Sequence, residues 1–494
     1  MTSRIDGIGT LILGLVAGCG TKYAQTATRP DEQPLLDASN IPVCGNTLAS
    51  RLAITTIDLD EDVRYKREGY NYIPTDARIA FSVAPSGNSY VAWTNNAATL
   101  VHVTPLTALQ GRMGPDTQIA GHEVGGLVAQ NDGFALLLAQ DDPGPQLVNP
   151  NPTVQPSYGL AAVAVRVRQG ASAPVFSVPL TGMASVVNAA APLHDCTSDH
   201  FDGRLAFNGR KYGAYFTVHG CQGDVHEGYY ADKLVYFDDQ GQPVTGGWNW
   251  GCQINLDLRL LPQTDSFTAL CMADIASDTG GVTVVRENPT LTLLAPEFAR
   301  GNVAAAQFGS LIQLPDGSFL LLWLSRGGPN ADNTYPLRPA NDIAMMRISA
   351  APDFTASPTT WLTTTPLVHE LNLHVAPYGP SALLMAWDAV ESVDCSRVDF
   401  HVTCFGTYAG THFQLIDLQG KAMGPDEILP APPNERDDLA VFPNGDVGWA
   451  YVPDAGRNYA SPLAGALSPL NSNVRVPSVP ALRKIDVARL LYCP

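Results

Sequence analysis

Four short sequences in this 494-residue chain carry residue types suited to metal binding or proton transfer: His122-Glu123, Asp199-His200, His369-Glu370 and Arg436-Asp437. Imidazole nitrogens and carboxylates are common ligands of divalent metals, and the same groups act as general acids and bases when held near a reacting proton. A second set, His194, Asp195, Asp199 and His200 with Asp224, His226 and Glu227, comes together if Cys196 and Cys221 are bridged, and would suit a metal or a sugar. Trp248 and Trp250, in GGWNWGC, offer aromatic faces for stacking a saccharide or a peptide. Each set also has a plainer reading, as solvated loop residues or as tryptophans packed between sheets.

No enzyme motif supports these residues. His369-Glu370-Leu371-Asn372-Leu373-His374 differs from the zinc-binding HExxH pattern, because its histidines are five apart and fall on an expected strand. A nucleophile elbow, a phosphate-binding loop and a dinucleotide fingerprint are all missing from the sequence. No motif names a cofactor.

The elements that must position these side chains are strands. Apolar residues alternate with period two, Gly and Pro punctuate them, and no long segment carries a helical stripe. One unit recurs seven times: an apolar strand, a turn rich in Pro, Asn, Asp and Gly, then a second apolar strand. The copies start at Ile79, Val124, Gly203, Leu256, Phe308, Leu373 and Asp438. Further strands follow each of the first six copies. Four-stranded sheets stacked radially protect their edges without closing a barrel, so the expected fold is an all-β, seven-bladed propeller. After the last copy only KIDVARLLYC remains, and the N-terminal strand RLAITTIDL from Arg51 is left to fill the outer place and close the ring. A pair of β-sandwiches is the competing arrangement. In a propeller the residues just before each inner strand line the mouth of the central channel, which is where His122, Glu123, Asp199, His200, His369, Glu370, Arg436 and Asp437 are expected.

Nine cysteines are present, and setting Cys19 aside leaves an even eight. Eight allow about a hundred pairings, but the propeller topology favours Cys44 with Cys493, Cys196 with Cys221, Cys252 with Cys271, and Cys395 with Cys404 within one loop. Disulfides belong to an exported protein.

The N-terminus agrees. A short polar start with Arg4 leads into an apolar stretch, Ile8 to Ala17, too short to span a bilayer, and ends at Val16-Ala17-Gly18-Cys19. This tetrapeptide resembles the lipobox of bacterial lipoproteins. The resemblance implies cleavage before Cys19, acylation of its thiol and stable attachment to a membrane through several chains. The expected organisation is a signal peptide over 1–18, a flexible tether over 19–43 and a propeller over 44–494. The formal net charge of −18 disfavours nucleic acid as a partner.

The expected function is therefore that of a lipid-anchored cell-envelope protein, facing the periplasm or the exterior. Its propeller serves as a noncatalytic binding or scaffolding module for a protein, peptide or glycan. The alternative is a hydrolase or lyase using the His and carboxylate ring, with or without a metal, at the channel mouth.

Overall fold

A computed structural model of the protein describes residues 44–64, 78–142, 160–181, 195–196, 201–220, 230–249, 257–273, 281–285, 291–296, 298–299, 302–303, 307–325, 327, 340–350, 353–398, 401–434, 437–453 and 482–493. Apart from one helical turn, Leu48–Arg51, these residues form antiparallel β-sheets. Three of the hairpins that begin a sheet turn in the same way. The backbone N–H of Ala84, Leu314 or Phe442 donates across the turn to Asn88, Ser318 or Asp446, and a glycine at φ 88°, 80° or 89° (Gly87, Gly317, Gly445) donates back. Only glycine takes that left-handed conformation without steric cost, which is why Pro-x-Gly-x marks these turns in the sequence.

Six blades, rather than seven, are each built from strands consecutive in the chain. Their first strands are Ala80–Val83, Glu123–Gln130, Gly203–Phe207, Leu258–Pro262, Gln307–Gln313 and Val368–Tyr378. The third blade carries an extra short strand, Asp195–Cys196, on the end of Lys211–Gly220. The seventh repeat supplies only Ala440–Val441, Val447–Tyr451 and Lys484–Leu490. Its sheet is completed from the other end of the chain, where Leu52–Asp58 pairs with Lys484–Leu490 in the register Leu52↔Leu490 to Asp58↔Lys484. Cys44 and Cys493 are bridged beside this pairing, their Cα atoms 5.6 Å apart.

The inner strand of each blade lies against that of the next. Ala440–Val441 touches both Val368–Tyr378 and Ala80–Val83, so the series returns to its start as a β-propeller. Apolar clusters fill the spaces between neighbouring sheets; Leu137, Phe201, Phe216 and Tyr212, for example, pack between the second and third blades. The approach is close at the inner strands, where a Cβ on Gly126 would stand 2.5 Å from the backbone N of Leu205. A side chain there would hold the two blades apart.

The other cysteines divide. Cys271 is disulfide-bonded, and its expected partner Cys252 lies outside the described residues, as does Cys221. Cys395 and Cys404 are register partners on two 17-residue strands, Ala382–Val398 and His401–Asp417. They sit on a long hairpin rather than in the loop that the sequence suggested, because strand pairing continues past the blade. Residues 1–43, including Cys19, lie outside the described residues. No helix among the described residues is long and apolar enough to cross a membrane.

Candidate functional site

The inner strands of the third and fourth blades begin with the same clip. In Asp202-Gly203-Arg204 the carboxylate Oδ1 accepts from Gly203 N–H at 2.9 Å, while Arg204 Nη1 donates to Oδ1 at 3.0 Å and to Gly203 O at 2.9 Å. In Asp257-Leu258-Arg259 the corresponding distances are 2.9, 2.5 and 2.7 Å. An acceptor two residues before a guanidinium on an extended strand lies on the same face, so the Asp-x-Arg spacing closes locally.

Arg78, at the start of the first blade, reaches further. Its Nη1 donates to Gly125 O, Asp202 Oδ1 and Gly203 O at 3.0, 3.1 and 2.5 Å, crossing the second blade to the third. Its Nε lies 3.2 Å from Asp437 Oδ1, and Asp437 Oδ2 accepts from Ile79 N–H and Asn434 Nδ2, both at 2.9 Å. Asp438, from the composite sheet, faces Arg204 Nε at 3.0 Å, Arg78 Nη2 at 3.6 Å and Arg259 Nε at 3.6 Å. Charged groups of the first, third and fourth blades thus meet the composite sheet across the channel.

Burial sets their protonation. It pushes the Asp437 carboxyl up to about 7, against the pull of Arg78 and of its hydrogen bonds. Partial desolvation acts the same way on Asp438, whose side chain keeps about half its surface exposed, but the guanidiniums of Arg204, Arg259 and Arg78, with His374, hold that carboxyl below the ordinary carboxylate range. Burial and Arg204 lower Arg78; for Arg204 burial is outweighed by Asp438, Asp202, Asp257 and Asp437, which raise it.

His374, on the inner strand of the sixth blade, meets the network from the other side. Its Nδ1 lies 2.8 Å from Asp437 O and its Nε2 lies 2.9 Å from Asn372 Oδ1. The Asn372 amide is oriented by its Nδ2, which donates to Asp388 Oδ2 and Pro433 O at 3.2 and 3.1 Å. Both imidazole nitrogens therefore lie within hydrogen-bond distance of an oxygen.

A cavity of about 260 Å³ runs along four inner strands from Arg78, Arg204 and Asp438 at one end, past Phe81, Leu127 and Leu205, to Val83 and Val441. The arginines at its floor are buried, whereas Val441 at its far end is exposed.

The residues singled out from sequence are spread around this site. Glu123 starts the inner strand of the second blade; its Oε1 accepts from Arg78 N–H at 3.4 Å, and Arg64 lies 3.9 Å from its Oε2. His122 bonds instead to Ala98 O and Asp141, at 2.7 and 2.9 Å. His369 and Glu370 are buried on the inner strand of the sixth blade, away from the cavity lining. His369 Nδ1 accepts from Asn341 N–H at 3.3 Å, and Thr365 donates to Glu370 at 2.6 Å. Burial, with Asp342 nearby, pushes the Glu370 carboxyl up to about 7. Trp248 is buried edge-on against Tyr215 and donates to Asp232 at 3.4 Å. Asp199, His200 and Trp250 lie outside the described residues. Among the described residues no three His, Cys, Asp or Glu side chains are grouped as a metal site.

Sequence reasoning passed over Arg78, Arg204 and Arg259. The signal was present, since Asp76-Ala77-Arg78, Asp202-Gly203-Arg204 and Asp257-Leu258-Arg259 all stand at the head of a repeat.

No protein-family profile and no curated protein matches the chain. Among solved structures it is similar to Kuenenia stuttgartiensis hydrazine synthase, at 10% identity and a TM-score of 0.43, covering 78% of this chain and 95% of that one. It is also similar to Trypanosoma rangeli sialidase (9% identity, TM-score 0.34, covering 71% and 58%). A third is the alpha-L-arabinofuranosidase of Lactobacillus brevis (9%, TM-score 0.33, covering 67% and 92%). Likeness at this level carries no functional argument, and the assignment of the fold stands on the strand order and the contacts between inner strands.

Proposed function

We propose that this chain is a cell-envelope lipoprotein, anchored through Cys19, whose propeller is a noncatalytic binding module with its ligand site in the channel. In this reading the composite sheet counts as the seventh blade, and the N-terminal strand that completes it joins the tether to the ring. The observation that carries the binding role is the cavity of about 260 Å³, with a charged floor whose members neutralise one another and apolar walls beyond it. The Asp438 carboxylate at this floor, backed by guanidiniums, offers an acceptor that orients a ligand.

Two experiments test the reading. The purified chain is incubated with a panel of nitrophenyl glycosides and lactones, and no turnover above background is expected. Turnover that Glu370→Gln abolishes would instead establish the hydrolase alternative, which the elevated Glu370 carboxyl favours as a general acid. For the anchor, cells expressing the chain are fed an alkyne-tagged fatty acid. Label is expected on the wild type and not on Cys19→Ala, and equal labelling overturns the anchor.

A further inference from the structure

We propose that the channel cavity binds a small neutral amphiphile, an apolar body ending in an amide or hydroxyl donor, with the Asp438 carboxylate as its acceptor. This rests on the binding role proposed above and names the ligand class.

Size is the first constraint. At about 30 Å³ per water, 260 Å³ corresponds to roughly nine water-sized groups, which admits one small molecule and excludes a folded partner. The distribution of polarity is the second. Apart from Ser82, whose Oγ already accepts from Ala129 N–H at 2.9 Å, the polar side chains lining it among the described residues are Arg78, Arg204 and Asp438, all at one end. Leu127, Leu205, Leu439 and Val441 form walls that suit a hydrocarbon body.

The third constraint is which polar group the ligand meets. The Asp438 side chain is 47% exposed, against 4% for Arg78 and 5% for Arg204, so the floor presents a carboxylate with guanidiniums behind it. Arg204 Nε at 3.0 Å and its two companions at 3.6 Å supply charge without hydrogen-bond geometry, and Asp438 accepts no hydrogen bond among the described residues. A carboxylate has about four lone-pair sites, so its acceptor capacity is open to the cavity.

Charge is the fourth. The Asp438 carboxylate is ringed by the guanidiniums of Arg78, Arg204 and Arg259, whose other carboxyl partners include Asp202, Asp257 and Asp437. An ammonium seated on Asp438 would meet the three guanidiniums, and a carboxylate ligand would meet Asp438 itself. A neutral donor fills the open acceptor sites and leaves the balance unchanged.

The test uses three probes of one chain length, hexanamide, hexanoate and hexylammonium, titrated calorimetrically into the oxidised full-length chain. Hexanamide is expected to bind at least tenfold more tightly than either ion. Val441→Trp, which places a large ring on an exposed residue of the lining, is expected to abolish that binding while leaving the unfolding midpoint unchanged. Asp438→Asn is expected to weaken hexanamide about tenfold; where that variant fails to fold, Val441→Trp carries the test. Equal or tighter binding of an ion, or hexanamide binding indifferent to Val441→Trp, overturns the assignment. These outcomes are separate from the turnover assay: a chain that hydrolyses glycosides refutes the noncatalytic reading whatever hexanamide does.

Discussion

Asp437→Asn isolates the most perturbed carboxyl of the channel. Asp437 is 4% exposed, and its carboxyl is raised from 3.8 to about 7. The folded state therefore holds this proton more tightly than the unfolded chain does. The group's contribution to stability is fully present below pH 4 and is lost as pH rises through 7. Three pH units at about 1.4 kcal/mol each amount to roughly 4 kcal/mol lost by the wild type between pH 4 and pH 8. Asparagine cannot ionise, so the variant escapes that loss. Its amide can still accept from Ile79 N–H and Asn434, while placing an amide nitrogen near Arg78 Nε adds an offset that does not depend on pH. Urea unfolding of both proteins at half-unit steps from pH 4 to 8, followed by tryptophan fluorescence, reads the difference directly. Relative to wild type, Asp437→Asn should gain about 4 kcal/mol across that range, with the slope between pH 4 and 7. Glu370 titrates in the same direction but is common to both proteins and cancels. Parallel stability curves would refute the reasoning, since they would mean that Asp437 ionises in the fold as it does in water.

Other expectations concern the frame. Arg204→Met leaves Asp202 and Asp438 short of a counter-ion and should cost about 3–5 kcal/mol in denaturant unfolding. Arg210→Met, which removes the exposed pair with Asp265, should cost under about 1 kcal/mol in the same assay. Gly126→Ala forces a Cβ against the Leu205 backbone and should destabilise by about 1–3 kcal/mol, visible as a lower thermal midpoint. Cys493→Ser should lose about 2–4 kcal/mol relative to the oxidised wild type, and reductant should bring the wild type close to the variant.

Much of the frame is written locally. The strand pairs and their Pro-x-Gly-x turns are encoded within about fifteen residues, because pleat alternation and a left-handed glycine need no distant partner. The pairing of Leu52–Asp58 with the last strand was legible because the seventh repeat lacked an outer strand while one N-terminal strand had no sheet. The blade count from repeats exceeded the number of blades with consecutive strands for the same reason: the seventh repeat is incomplete by itself. Cys395 and Cys404 were expected to share one loop of the blade topology, yet a long hairpin carries them, because strand pairing over such a distance beyond the blade has no local signal.

The site divides along the same line. His122, Glu123, His369 and Glu370 were chosen for their chemistry and position before inner strands. Whether such groups converge depends on how the blades are turned about the axis, and no local pattern fixes that angle. The sequence alone determined the strands, their turns, the joining of the two ends and the Asp-x-Arg clips, each set by pleat geometry or by a leftover partner. Only the tertiary structure decided that Arg78 reaches Asp202 and that Asp437 takes the Ile79 amide, an encounter between residues 358 apart. Such encounters form when the ring closes, because burial in the channel then makes each of these charges dependent on the others.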